Sequence, residues 1–493
     1  MRWVQVLSGG LCLLPVWLCH AKVDPSLLNG VTDTPYGHSV SLSVPRLGAG
    51  AHGWIGSAER QQSEAILRDL RLHAPLLDDP WTQQQLSRVF YALNAQAGLP
   101  APVAFVLIQD PQINAFAVSG GLVALYTGLI VQAESMDQVA GVLAHEVAHV
   151  SQRHLSRRQT DLSNHKWLSI GGLVAGLLLA KADADAGAAV ATGSQAAAAN
   201  LQLAYGRDQE READRIGMQL MSSAGYSAQG MANFFDVMHR HAGQRGFLPD
   251  FVLSHPLTAE RMSEARLRAA QLPQPVASAE EQFQFRVLKG RIAVLTGQST
   301  AADLAAIAGQ DDAAAAALVT AYRLDQRFDD ARQLLARLQA KHPNGSLWPI
   351  LAAEIELAAQ RPEVALTLLT PLHQLTPEDR PLSLLYAQAL IDSQQPQAAI
   401  DLLQPMSQQQ PSDVAVWQLL QTAASRLPDL APFKVVAVLR YRAEQQFWRG
   451  QVDAAIVSLE RARVLAEQTE SLRAKIDQRV QQMREAQAVK IGG

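Results

Sequence analysis

Cysteine is nearly missing from this chain: two residues, Cys12 and Cys19, among 493, both inside the first 21 positions. The remainder can form no disulfide and offers no thiolate, so any metal site there must be built from histidines and carboxylates. An excess of one charge is missing as well. Against 42 Lys and Arg stand 46 Asp and Glu, a net charge of −4, which excludes the basic face that a nucleic-acid binder presents to phosphates. Long apolar runs are also scarce. Away from the N-terminus the longest lies in Trp167 to Asn200, and its continuous part covers about 14 residues, short of the roughly 20 that a membrane-spanning helix needs. That Ala/Gly-rich segment is expected to form a hairpin over the site, with peripheral membrane contact by residues 167–200 as the lesser reading.

What is present begins with "MRWVQVLSGGLCLLPVWLCHA". One early Arg, an apolar stretch broken by Pro15 and the small Ala21 predict a secretory signal peptide over residues 1–21. Residues 22–60 carry Gly and Pro without clear periodicity and predict an extended N-terminal segment. A folded domain is expected over residues 61–272. Helical patterns open it in "AERQQSEAILRDLRL" and "DDPWTQQQLSRVFYALNAQ", and "VAFVLIQD" and "LVALYTGL" read as strands. Between the strands Gly120 and Gly121 mark a tight turn. A helix follows, opened by a capping box of Ser135 and Gln138 and carried by Val139, Val142, Leu143, Val147 and Val150.

Residues 283–490 repeat. Ala331, Ala365 and Ala399 are 34 apart, as are Pro343, Pro377 and Pro411, and likewise Leu318, Ala352 and Tyr386. Small residues inside helices and Pro at the repeat end, at this period, are the tetratricopeptide signature. Each helical pair cannot bury its own apolar face, so pairs stack into an α-solenoid whose concave surface receives partners. The expected class is α+β, mostly helical.

The chemistry sits in "AGVLAHEVAHVSQRH". On a helix His145 and His149 share one face a turn apart, so both imidazoles can converge on one zinc ion, one per chain. Glu146 lies beside them, free to act on a water. A His-Glu-x-x-His string arises by chance in roughly one or two of a hundred chains of this size, so a further ligand is needed. "DQEREAD" supplies it: Glu210 is the expected third ligand. Asp214, a turn on, is placed to receive the free N–H of a liganding imidazole and is grouped with Glu146 as a catalytic carboxylate. Glu212 is expected to face solvent. Small Ala213 and Gly217 let this helix approach another. His154 falls off the ligand face and is expected to shape the surroundings of the site. His255, ahead of the rigid Pro256, is a possible fourth, regulatory ligand that holds the enzyme latent, or an ordinary structural histidine.

"HEVAHVSQRH", then "YGRDQEREADRIG", with "NAFAVSGGLVALYTGLI" upstream, resembles the CAAX-prenyl-protease/HtpX group of zinc metallopeptidases over about residues 61–270. The resemblance implies a zincin-type domain of the gluzincin kind, with His145, His149 and Glu210 on zinc and Glu146 as the base. It also implies a substrate edge at Asn114, Ala115, Phe116, Ala117 and Val118, and a His-Pro…Arg segment near the cleft, here His255, Pro256 and Arg261. With an export signal and appended repeats, it implies a periplasmic enzyme of Gram-negative cells. Its clients would be unfolded or misassembled outer-membrane β-barrel proteins, with the β-barrel assembly machinery as partner in the repeat groove. The competing function is a repeat-based chaperone or adaptor of that machinery in which proteolysis is secondary.

Overall fold

The computed structural model describes residues 56–118, 120–154, 206–245, 250–429, 433–466 and 469–489. The expected signal peptide, nearly all of the extended segment and Trp167 to Asn200 lie outside the described residues. Among the described residues no helix is long and apolar enough to cross a membrane.

Helix α1 (Ser57–His73) starts within the stretch expected to be extended, because the Glu59 carboxylate accepts the Gly56 N–H at 3.2 Å and caps the first turn. Helix α2 (Pro80–Gln96) opens with Pro at its first position and Asp79 as cap, whose Oδ2 accepts the Thr82 N–H at 3.1 Å. Three strands follow: β1 (Ala104–Ile108), β2 (Ala115–Val118) and β3 (Leu122–Tyr126), in the order β1-β3-β2. β1 runs parallel to β3, and β2 antiparallel to it with Ala115 opposite Leu125. The connection between the two expected strands is therefore itself a strand, and the turn is confined to its end, where Gly121 takes φ 87°. A side chain on Gly120 would fall 2.1 Å from the Glu59 carbonyl oxygen on α1.

All of β3 is buried, because both sheet faces are covered. Strand alternation sends Leu107, Ala115, Ala117, Val123 and Leu125 to one face. The other face receives Val106, Ile108, Val118, Leu122, Ala124 and Tyr126. On the first lie α3 (Thr127–Gln132), α4 (Met136–Ser151), α5 (Arg207–Ser223), α6 (Gln229–Arg245), α7 (Asp250–Ser254) and α8 (Ala259–Ala269), whose buried side chains join that cluster.

Next come α9 (Ala279–Leu295) and α10 (Ala301–Ile307). Three pairs in register follow: α11 (Asp312–Leu324) with α12 (Phe328–Lys341), α13 (Trp348–Ala358) with α14 (Pro362–Leu375), and α15 (Arg380–Asp392) with α16 (Pro396–Gln409). Ala331, Ala365 and Ala399 are fully buried. The turn inside each pair puts Gln326, Gln360 and Gln394 at φ 58°, 57° and 59°, so the period of 34 is written in the backbone as well. Helix α17 (Val414–Ser425) precedes a last pair, α18 (Lys434–Trp448) and α19 (Val452–Leu465), with Gly450 at the left-handed position, and α20 (Glu470–Ala488) ends the described chain.

These last helices return to the sheet. Phe447, Trp448, Leu459 and Met483 pack with Ile66, Leu67 and Leu70 of α1 over the second sheet face. Arg68 and Arg71 of α1 donate to the carbonyls of Ala486 and Trp448, each at 3.2 Å. A side chain at Gly450 would fall 2.4 Å from the Arg68 carbonyl oxygen. At the far side, buried Arg291 of α9 clasps Asp79 at 2.6 and 2.9 Å and Glu354 of α13 at 2.6 and 3.2 Å. A peptidase that stands by itself with a removable repeat array is what the sequence suggests. The packing differs, since α18 to α20 share one buried core with α1 and the second sheet face. Ending the chain at Phe433 is therefore expected to give an aggregating product without a cooperative urea transition, measured by sedimentation and circular dichroism. A soluble, cooperatively folding truncation would contradict the shared core.

Candidate metal centre

Helix α4 starts where Ser135 Oγ accepts the Gln138 N–H at 3.3 Å. The Gln138 side chain reaches back to the N–H of Glu134 at 2.8 Å, one residue before the cap that a regular box would serve. Val139, Leu143 and Val147 enter the core, while His145 and His149 meet α5. The approach of α5 depends on Gly217: an added side-chain carbon there would stand 3.1 Å from both Ala144 C and His145 N. Ala213 is fully buried in the same seam. Glu210 and Asp214, earlier on that helix, are thereby pressed against the two imidazoles.

Four donors converge. His145, His149, Glu210 and His255 are all buried, and one ligand atom of each lies within 4.8 Å of the others. His145 Nε2 is 3.0 Å from His149 Nε2 and 3.3 Å from His255 Nδ1. The Glu210 oxygens stand 3.4 Å from each of the first two nitrogens and 3.1 Å from His255 Nδ1. A tetrahedral zinc with bonds of about 2.0–2.1 Å keeps its ligand atoms roughly 3.3 Å apart, so the set fits that ion.

Each donor is oriented from behind. Asp214 Oδ1 accepts from His145 Nδ1 at 2.9 Å, which turns the Nε2 lone pair inward. Both Asp214 oxygens are further held by Arg261, at 2.7 and 2.8 Å, so this residue grips a ring where a proton-handling carboxylate would need a free oxygen. Arg261 also reaches Glu210 Oε2 at 2.9 Å and donates to the Pro256 carbonyl at 2.8 Å, tying the His255 turn to the same guanidinium. Behind His149 stands His154, Nδ1 to Nδ1 at 2.8 Å, and His154 Nε2 faces Glu212 at 3.1 Å. Glu212 therefore meets a histidine, against the expectation that it faces solvent. The left-handed Arg153, φ 52°, folds His154 back under the helix, and helical spacing alone gave no sign of that bend.

Glu146 is buried, and its Oε1 accepts no hydrogen bond among the described residues, with His255 Nε2 at 3.4 Å. Burial pushes its carboxyl above the ordinary value, against His255 and His145. Burial also holds His149 well below its usual value, as a neutral imidazole with a lone pair to give. For His145 burial acts downward, yet the hydrogen bonds to Asp214 and Glu210 push it up to about 9, so protons compete with a cation there. The Ala117 backbone also bonds to Glu146 and joins β2 to the centre. β2 is an outer strand paired only with β3 among the described residues, and Asn114 stands buried just before it.

Residues 80–269 match Peptidase family M48, and residues 356–424 match the tetratricopeptide repeat. The β-barrel assembly-enhancing protease of Escherichia coli K12 is 30% identical over 335 residues, which cover 66% of this chain and 69% of that protein. The chain belongs to the β-barrel assembly-enhancing protease family. A putative member from Vibrio cholerae is 36% identical over 214 residues, 43% of this chain and 44% of its own. The mitochondrial metalloendopeptidase OMA1 of Arabidopsis thaliana is 27% identical over 221 residues, 44% and 42% of the two chains. Like its family, the chain is a metallopeptidase whose clustered histidines and glutamate suit a zinc-binding catalytic site.

Because Gly217 sets the distance between α4 and α5, Gly217→Ala is expected to cost about 1–3 kcal/mol of stability. It should also lower the metal content of the purified protein. Urea unfolding and elemental analysis measure the two effects, and undisturbed values for both would show that the seam tolerates a methyl group.

Proposed function

We propose that the chain is a zinc-dependent endopeptidase with chaperone-like activity that works in the periplasm. It removes misassembled or stalled outer-membrane β-barrel proteins and promotes assembly of the rest. The observation that carries the enzymatic part is the set of buried donors at tetrahedral spacing with an unbonded Glu146 oxygen beside them. The client class is supported by the name of the relatives and by the signal-like N-terminus; the repeat groove offers a surface for the assembly machinery.

In this reading His145, His149 and Glu210 hold the ion, and Asp214, His154 and Arg261 keep those side chains aimed. A bound zinc ion supplies a Lewis acid that polarises the scissile carbonyl and makes water a better nucleophile. Glu146 takes the proton of the attacking water and returns it to the leaving amine, and its burial-raised carboxyl suits both halves of that transfer. The open side of β2, from Asn114 to Val118, pairs with the backbone of an extended client and recognises unfolded segments without a strict side-chain code. His255 would offer Nδ1 as a further ligand, with Nε2 toward Glu146. As a resting-state ligand it would have to turn away before substrate enters, and activity would scale with the open fraction.

Glu146→Gln is expected to keep one zinc per chain and to lose cleavage of an unfolded protein by about 10²- to 10⁴-fold, whereas His149→Ala and Glu210→Ala lose the metal. If Glu146→Gln still promotes client assembly, the repeats act as an adaptor in their own right. His255→Ala is expected to retain zinc and raise basal proteolysis severalfold. Loss of zinc in that variant would make His255 a structural ligand, and unchanged activity with full zinc would remove it from control.

A further inference from the structure

A cavity of about 650 Å³ lies between β1 and the repeat helices and shares no lining residue with the metal centre. Phe105 and Val106 of β1 form one wall, and Leu384 of α15 and Leu419 of α17 form another. Three guanidiniums line it, those of Arg71, Arg380 and Arg449, together with the carboxylates of Asp78, Glu354 and Asp413. The formal balance is neutral, but the pairing is not even. Asp413 is taken by Arg380 at 2.5 and 2.9 Å. Glu354 is taken by Arg291 and, at 3.2 Å, by Arg323, neither of which lines the cavity. Arg71 and Arg449 are left with neutral acceptors, the Trp448 carbonyl at 3.2 Å and Gln418 Oε1 at 3.0 Å. The acids that act on Arg71 are Asp413, already paired, and Asp78.

We propose that this cavity receives the C-terminal end of a polypeptide, with the terminal carboxylate on Arg71 and Arg449 and an apolar last side chain against Phe105, Leu384 and Leu419. Guanidiniums hydrogen-bonded to neutral acceptors beside an apolar wall match a group that is anionic at one end and greasy beside it, and their fork geometry suits a carboxylate. Burial brings the Arg71 guanidinium down to about 10 despite Asp413 and Asp78, and Arg380 and Arg449 push the same way, so a bound anion relieves an existing cost. The volume falls in the range of small-molecule pockets, enough for a terminal residue or two. That the anion is a chain end rests on the reading of the protein as a peptidase of polypeptides. Seated there, a client's end would be held by the repeats while the rest of its chain reaches β2.

The test uses full-length Glu146→Gln protein, so that nothing is cut, and a short fluorescein-labelled peptide ending in leucine. Anisotropy titrations compare the free carboxylate with the C-terminal amide, with inorganic phosphate as competitor. Amidation is expected to weaken binding about tenfold or more, as are Arg71→Gln and Arg449→Gln. Both variants should keep the circular dichroism spectrum of the parent protein, so that lost binding is not lost folding. Equal binding of acid and amide overturns the proposal, whatever the variants do. Complete displacement by millimolar phosphate also overturns it, by marking a general anion site. Carboxylate-dependent binding, with no casein cleavage by the zinc-loaded protein whose Glu146 is intact, would instead defeat the peptidase reading and leave this one standing.

Discussion

One buried guanidinium organises the centre. Arg261 holds both oxygens of Asp214, one of Glu210 and the carbonyl of Pro256, and so joins α5, α8 and the turn carrying His255. Two carboxylates that close would repel each other and could not stay ionised out of water without it. Burial works to lower the pKa of Arg261, and the two acids more than reverse that. Its removal would do more than delete hydrogen bonds, since the acids would protonate or the helices would part. The histidines depend on the same arrangement, because Asp214 can fix His145 only while Arg261 fixes Asp214.

Much of this was readable in the sequence wherever helical spacing decides geometry. His145 and His149 on one face, Glu210 and Asp214 on another, and Ala213 with Gly217 as the seam all follow from 3.6 residues per turn. Spacing failed where the backbone leaves the helix. Arg153 in the left-handed region carries His154 under His149, and that bend turns Glu212 from a surface acid into the end of a hydrogen-bonded line. The edge at β2 came from the resemblance and not from local pattern, because "NAFAV" is short, holds three small or polar residues and borders two glycines. Its pairing with β3 makes it a strand, and such a long-range cause leaves little local mark.

The repeats show the opposite balance. Their period was plain from alanines and prolines, and the left-handed glutamines repeat with it. What no period could reveal is where the array ends up. A solenoid is ordinarily a stack in which each unit touches its neighbours, and here the last units, still stacked, also pack on α1 and join the core of a sheet laid down near the start of the chain. The small sheet is thus the shared property of both halves, with β3 enclosed between the metal-bearing helices and a layer of α1 backed by the C-terminal helices.

That closure puts the end of the chain in charge of a wall near its start. The C-terminal helices back the sheet's second face through α1, whose Arg68 and Arg71 hold the carbonyls of Ala486 and Trp448. Gly450 lets the turn between α18 and α19 lie against the Arg68 carbonyl. Fraying of α20 is therefore felt at β3, and a fault at the tail becomes a fault in the backing of the metal-bearing helices.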